Sequence, residues 1–268
     1  MTLPLFTPGE DPGPSFSALL RRLDGPPATL PSAAERDPAF AITHGTTIVA
    51  LRYQDGVVMA GDRRATAGSS IAHRAMDKVH PADRFSGVAI AGAAGFALEM
   101  VKSFQLELEH YEKLSGNVLS LEGKANMLGS MVRGNLPMAM QGMVVVPLFA
   151  GFDTRRKVGR IFTYDATGGR YEETEFHADG SGGRDARTTI KLGWTEGLDR
   201  PAAIELAVQG LYEAADEDSA TGGPDAVRGI YPTVATITTA GYEEAPEAEV
   251  SERFAALIQR KSDQGLSR

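Results

Sequence analysis

The sequence contains no cysteine. That excludes a disulfide framework, a Cys-ligated zinc or iron–sulfur centre, and any thiol nucleophile. Histidine is scarce as well: the five present never take the HExxH spacing, so no histidine metal site is expected. Basic charge is in deficit, with 27 Lys and Arg against 35 Asp and Glu and a formal net charge of −8. A general nucleic-acid-binding surface would need a basic stripe, so no nucleic-acid partner is expected. Long apolar runs are missing too. The charge-free stretch over residues 135–152 is broken by Pro137, Gly142 and Pro147, which fits a helix end and a buried strand rather than a bilayer span. A hydrolytic nucleophile must therefore be Ser, Thr, Lys or a carboxylate.

What is present is unevenly spread. Eight of the 15 prolines fall within residues 1–45, a stretch with only scattered apolar residues. It has neither the basic start nor the apolar run of a secretory signal. Such sequence cannot bury enough surface to offset its ordering entropy, so it reads as a flexible leader with one short helix over residues 16–23. Order begins abruptly at Thr46. Residues 46–53 (TTIVALRY) form a β-branched, apolar strand, Asp55-Gly56 signals a hairpin turn, and residues 57–62 (VVMAGD) a second strand. A third run, 86–92 (SGVAIAG), feeds a helical pattern in which Ala94, Ala97, Leu98, Val101, Leu108 and Tyr111 recur at helical spacing. The pattern predicts a second helix over 121–140, strands over 143–152, 159–165 and 171–178, and helices over 185–192 and 201–215. A strand over 231–238 and a helix over 245–260 close the chain. This order implies a single α+β domain with antiparallel sheets rather than a doubly wound fold.

Most hydroxyl and charged motifs have a plain structural explanation when taken one at a time. Residues 44–47 (His-Gly-Thr-Thr) are different, because they join the leader to a buried strand. Gly45 is small, so the Thr46 hydroxyl can approach its carbonyl closely. If that bond were cut, Thr46 would gain a free α-amine with a pKa near ~7.7–8.0, close to what a general base needs at neutral pH. One residue would then carry nucleophile and base, and its β-branch would hold the hydroxyl in few orientations. While the leader remains, that nitrogen is an amide and cannot serve.

These residues resemble a known family. TTIVALRYQDGVVMAGDRRAT (46–66) looks like the start of a mature proteasome β-subunit, a threonine protease of the N-terminal-nucleophile hydrolase class. Lys78, Ile90-Ala91-Gly92, Gly180-Ser181-Gly182 and DSATGGPD (218–225) follow in that family's order and spacing. ELEHYEKL (107–114), MVRGNL (131–136), AMQG (139–142) and RGIYPT (228–233) resemble its actinobacterial branch. The resemblance implies a four-layer αββα sandwich over residues 46–268 and a propeptide, residues 1–45, removed by autocleavage between Gly45 and Thr46. It implies Thr46 as nucleophile, Asp62 and Lys78 as its acid–base pair, and Ser181, Asp218 and Thr221 as the group that orients the amine. Gly92 would donate its N–H to the oxyanion. Thr66, Gly92 and Ala94 would pair with an extended substrate by strand addition. Ala65, Met76, Ile90, Ala94 and Leu98 match the primary specificity pocket, and their apolar character implies a hydrophobic residue before the scissile bond.

The resemblance also implies partners. β-Subunits would form seven-membered rings, two of them stacked between two rings of α-subunits, fourteen copies of each in the assembly. An ATPase ring would feed in substrates tagged with a prokaryotic ubiquitin-like protein, in the cytoplasm and away from membranes. No cofactor or metal is expected for the hydrolysis itself. Two alternatives stay open: an HslV-type peptidase subunit, and a non-catalytic structural ring subunit. The chain departs from the family at Asp179, which adds a carboxylate near the expected site, and at Arg184-Asp185-Ala186-Arg187, which makes a helix start unusually charged.

Overall fold

The computed structural model describes residues 45–68 and 70–265; the short helix expected over residues 16–23 lies outside the described residues. The described chain opens with an antiparallel hairpin, β1 (Thr47–Tyr53) and β2 (Gly56–Gly61), turning over Gln54-Asp55, one residue before the expected Asp55-Gly56. Two further pairs follow, β3 (Ala65–Ala67) with β4 (Ser70–His73), and β5 (Val79–Asp83) with β6 (Ser86–Gly92). Helices α1 (Ala94–Ser115), α2 (Leu121–Gly134) and the single turn α3 (Leu136–Ala139) lead to β7 (Val145–Asp153), β8 (Val158–Tyr164), β9 (Arg170–Glu173) and β10 (Phe176–Gly180). Helices α4 (Gly183–Gly193) and α5 (Arg200–Glu217) precede the β11 (Thr233–Thr238) and β12 (Gly241–Glu244) hairpin, and α6 (Glu247–Asp263) ends the fold.

The strands make two antiparallel five-stranded sheets, ordered β10-β1-β2-β11-β12 and β5-β6-β7-β8-β9. Alternate residues of β1 serve different layers, as the period of two requires. Ile48 and Ala50 pack between the sheets with Met59, Leu148 and Ile161. Val49 and Leu51 face Ile190, Ile204 and Leu211 of α4 and α5. The second sheet uses Ile90, Phe149 and Phe162 against Phe104 of α1 and Leu128 of α2. The layers therefore run helix, sheet, sheet, helix, the αββα sandwich. Among the described residues, no helix is long and apolar enough to cross a membrane.

Several elements differ from expectation, among them the short strands β3, β4 and β12, which were not foreseen. The helix expected over 121–140 stops at Gly134, because Pro137 cannot donate to a continuing helix and Asn135 caps the break. The strand expected over 171–178 is two strands in different sheets, since β9 pairs with β8 and β10 pairs with β1. The crossing at Thr174 and Glu175 is held by Arg52, whose N–H and guanidinium donate to the Glu175 and Thr174 carbonyls, each at 2.8 Å. Strand β5 was not expected at all, because it contains Pro81; it forms a sheet edge, where a missing N–H is tolerated.

Candidate active site

The β1–β2 hairpin brings Thr47 and Asp62 together. The Thr47 N–H donates to Asp62 Oδ1 at 2.7 Å, and the Asp62 N–H returns to the Thr47 carbonyl at 3.0 Å. Lys78, just before β5, donates from Nζ to Asp62 Oδ1 at 2.6 Å, to the Arg64 carbonyl at 2.6 Å and to the Gly45 carbonyl at 3.3 Å. Asp62 Oδ2 accepts from the N–H groups of Gly222 at 2.8 Å and Arg64 at 2.9 Å. Asp62 is fully buried and Lys78 is 3% exposed. Such a pair survives burial because its ammonium protons and carboxylate lone pairs all find partners. Burial holds the Lys78 ammonium below its ordinary pKa, against the opposing pull of the Asp62 charge.

Thr46 meets this pair from the front. Its Oγ1 donates to the Gly45 carbonyl oxygen at 2.6 Å, the same oxygen that Lys78 Nζ approaches. Gly45 has no room for a side chain: a Cβ there would lie 2.6 Å from Ala220 Cβ and 2.8 Å from Thr66 Oγ1. On the other side, the Thr46 N–H donates to Ser181 Oγ at 3.3 Å, and the Ser181 N–H donates to the Thr46 carbonyl at 2.8 Å. Gly180 makes this approach possible. Its φ is +96°, and a Cβ would sit 1.8 Å from the Thr46 carbonyl oxygen.

Asp218 caps the C-terminus of α5 and collects the hydroxyls behind Thr46. Ser181 Oγ and Thr221 Oγ1 both donate to Asp218 Oδ2, the latter at 2.6 Å. Partial burial opposes ionisation of Asp218. The hydrogen bonds from Ser181, Thr221 and the Ala220 N–H outweigh it and hold the carboxyl below its ordinary pKa.

A small pocket opens beside Thr46. Of the residues expected to line it or bind substrate, Ala65, Thr66, Met76, Ile90, Gly92 and Ala94 line it. Leu98 does not. It packs against the core between α1, α2 and the second sheet, and its neighbour Ala97, also part of that core, lines the pocket. Gly92 ends β6 with φ +113°, and a Cβ there would meet the Val144 carbonyl oxygen at 2.1 Å.

Comparison with known proteins fits this geometry. Residues 42–228 match the family described as "Proteasome subunit". A protein of Acidimicrobium ferrooxidans named "Proteasome subunit beta" is 58% identical over 268 residues, covering 100% of this chain and 97% of that protein. Another of that name, from Streptomyces griseus, is 52% identical over 262 residues, 97% of this chain and 92% of the relative. The chain belongs to the proteasome subunit family. Both relatives carry the β-type name, the first of the three readings above.

Within this proteasome subunit the family match spans every candidate site residue from Gly45 to Thr221. The two departures resolve differently. The Asp179 carboxylate accepts from the Gly180 N–H at 2.7 Å and lies 3.9 Å from His177 Nε2; no hydrogen bond links it to Thr46, Ser181 or Asp218. At the start of α4, Arg184 and Arg187 are exposed while Ala186 and Ile190 are buried, so the apolar face of the helix packs within the chain and the charges lie on its outer face. Contributors that were not foreseen are the main-chain groups on the buried pair: the Arg64 carbonyl and the N–H groups of Thr47, Arg64 and Gly222. The paired glycines of DSATGGPD were a signal for Gly222, where a Cβ would come 2.7 Å from Arg64 Cβ. A main-chain carbonyl leaves no trace in residue type, so Arg64 had none.

Proposed function

We propose that this proteasome subunit is a threonine endopeptidase that makes its own nucleophile. The observation that carries this reading is the convergence of Thr46 Oγ1 and Lys78 Nζ on the carbonyl of Gly45, with Asp62 behind the lysine. In autocleavage the Thr46 oxygen adds to the Gly45 carbonyl carbon, its proton passes to the Thr46 nitrogen, and the C–N bond breaks, leaving an ester on Oγ1 and a free amine on Thr46. Water then hydrolyses the ester and releases residues 1–45. The exposed amine serves as base for the same hydroxyl on incoming peptides, through an acyl-enzyme that water clears. Lys78, paired with Asp62, lowers the pKa of the hydroxyl and the amine by its charge. Ser181, Asp218 and Thr221 orient the amine, and the Gly92 N–H stabilises the oxyanion.

The apolar lining by Ala65, Met76, Ile90, Ala94 and Ala97 supports a preference for Leu, Tyr or Phe before the scissile bond. Fluorogenic peptides ending in those residues should be cleaved with higher kcat/KM than acidic or basic ones; the reverse order would exclude this pocket. The partners follow from the family: α-subunits and further β-subunits in seven-membered rings, an ATPase ring, and cytoplasmic proteins carrying a ubiquitin-like tag. Broad specificity is then safe because the sites face a closed chamber.

Intact mass of the assembled particle tests the central claim. Wild type should begin at Thr46 and cleave peptides, whereas Thr46→Ala should keep its leader and be inactive. A full-length wild-type chain that cleaves peptides would sink the mechanism.

A further inference from the structure

Thr47 is fully buried and has no part in the mechanism above, yet it touches both halves of the site. Its main-chain N–H donates to Asp62 Oδ1, the oxygen that holds Lys78. Its hydroxyl accepts from the Gly182 N–H at 3.0 Å and lies 2.6 Å from Thr221 Oγ1.

The direction of that last bond follows from its neighbours. An amide N–H can only donate, so the Thr47 oxygen accepts from Gly182 and keeps its own proton free. An ionised carboxylate can only accept, so the Thr221 proton points to Asp218 Oδ2. Thr47 must then donate to Thr221. The result is one ordered chain: Gly182 N–H to Thr47, Thr47 to Thr221, Thr221 to Asp218. The same carboxylate oxygen receives Ser181, which faces the Thr46 nitrogen. The chain explains why position 182 is glycine. A Cβ there would lie 2.6 Å from Thr47 Oγ1 and 2.8 Å from Thr221 Oγ1, displacing the hydroxyls from the amide.

We infer that the Thr47 hydroxyl is a positioning residue for the reaction. It clamps the Ser181–Gly182 turn from below and orients Thr221 on Asp218, so that Ser181 presents its oxygen to the amine of Thr46. The amine then donates to Ser181, and its lone pair is left free to take the Thr46 hydroxyl proton. This inference rests on the threonine-protease reading above.

The test compares Thr47→Val, which keeps the shape and removes the hydroxyl, with Thr47→Ser, which keeps the hydroxyl and removes the methyl. Both are made in the full chain, assembled, and assayed on a fluorogenic peptide beside wild type and Thr46→Ala. The expected result is a fall in kcat of about 10- to 100-fold for Thr47→Val with KM within about twofold, and near wild-type kcat for Thr47→Ser. Equal kcat for Thr47→Val and wild type would overturn the inference. So would equal losses in the valine and serine variants, which would point to packing by the methyl. A valine variant that fails to assemble beside a normal serine variant would assign the hydroxyl to folding and overturn it too. If Thr46→Ala retains activity, the protease reading itself fails, and that outcome is distinct from the others.

Discussion

Gly45 shows how narrowly single residues are specified around Thr46. From sequence alone its smallness lets the Thr46 hydroxyl reach the carbonyl. The structure adds crowding from the opposite side, by Ala220 and Thr66. Gly45→Ala must push the carbonyl of residue 45 away from Lys78 Nζ or displace the Ala220 loop. Loss of the leader should therefore slow by at least about tenfold, on the reasoning that small misplacements of a reacting group are costly. A time course of intact mass during assembly measures it, and unchanged cleavage would refute the crowding argument. Gly180 is specified as tightly, but through its positive φ and the Thr46 carbonyl. The Gly-Ser-Gly run was visible in the sequence. What each glycine avoids was not, because the atoms it avoids come from β1 and from the loop after α5, more than thirty residues away in either direction.

At the scale of elements, local pattern worked where one strand or helix meets a well-defined layer. Strand β1 reads as continuously apolar because both of its faces are buried, one against the second sheet and one against α4 and α5. The strand expected over residues 171–178 misled because extended chain runs up to and away from a change of sheet; nothing in Tyr-Glu-Glu-Thr marks the crossing that Arg52 secures. Helix α5 carries Asp218 at its end and is capped at its start by Asp199, whose carboxylate accepts from the Ala202 N–H at 2.9 Å. Asp199→Ala should lower stability by about 1 kcal/mol, the usual worth of such a cap, while leaving peptidase kcat unchanged. Urea unfolding in the Thr46→Ala background gives the first quantity and peptide assays of the single variant the second. The cap lies at the far end of α5 from Asp218, so a large loss of kcat would mean that the helix transmits strain along its length.

For the molecule as a whole, several carboxylates tie separate elements together and are held below their ordinary pKa. Burial works against Asp153, but hydrogen bonds from the Arg156 and Arg155 N–H groups and from Arg160 outweigh it. Arg160 likewise holds Glu172 down by its hydrogen bonds, joining the end of β7 to β9 through β8. A depressed folded pKa gives stability that is present above the unfolded value, about 3.9 for Asp and 4.3 for Glu, and is lost as pH falls through the folded value. Thermal melts of the Thr46→Ala chain should therefore show Tm level near neutrality and falling below about pH 4. Arg160→Gln should lower Tm at neutral pH and make that acid slope shallower. A slope unchanged by the substitution would assign the acid sensitivity to other groups.

The sequence by itself determined the excluded thiol chemistries, the α+β class and the residue types available for catalysis, because these depend on composition and on short-range pattern. The tertiary structure decided which of those residues meet. Lys78 reaches Gly45 only because β5 sits at the edge of the second sheet beside the end of β2. Ser181, Asp218 and Thr221 gather only because β10 returns to pair with β1. Ala97 lines the pocket where Leu98 was expected for the same reason. Helical spacing shows that both lie on α1, but the rotation of α1 is set by packing against Phe149 and Leu128, residues far away in the chain.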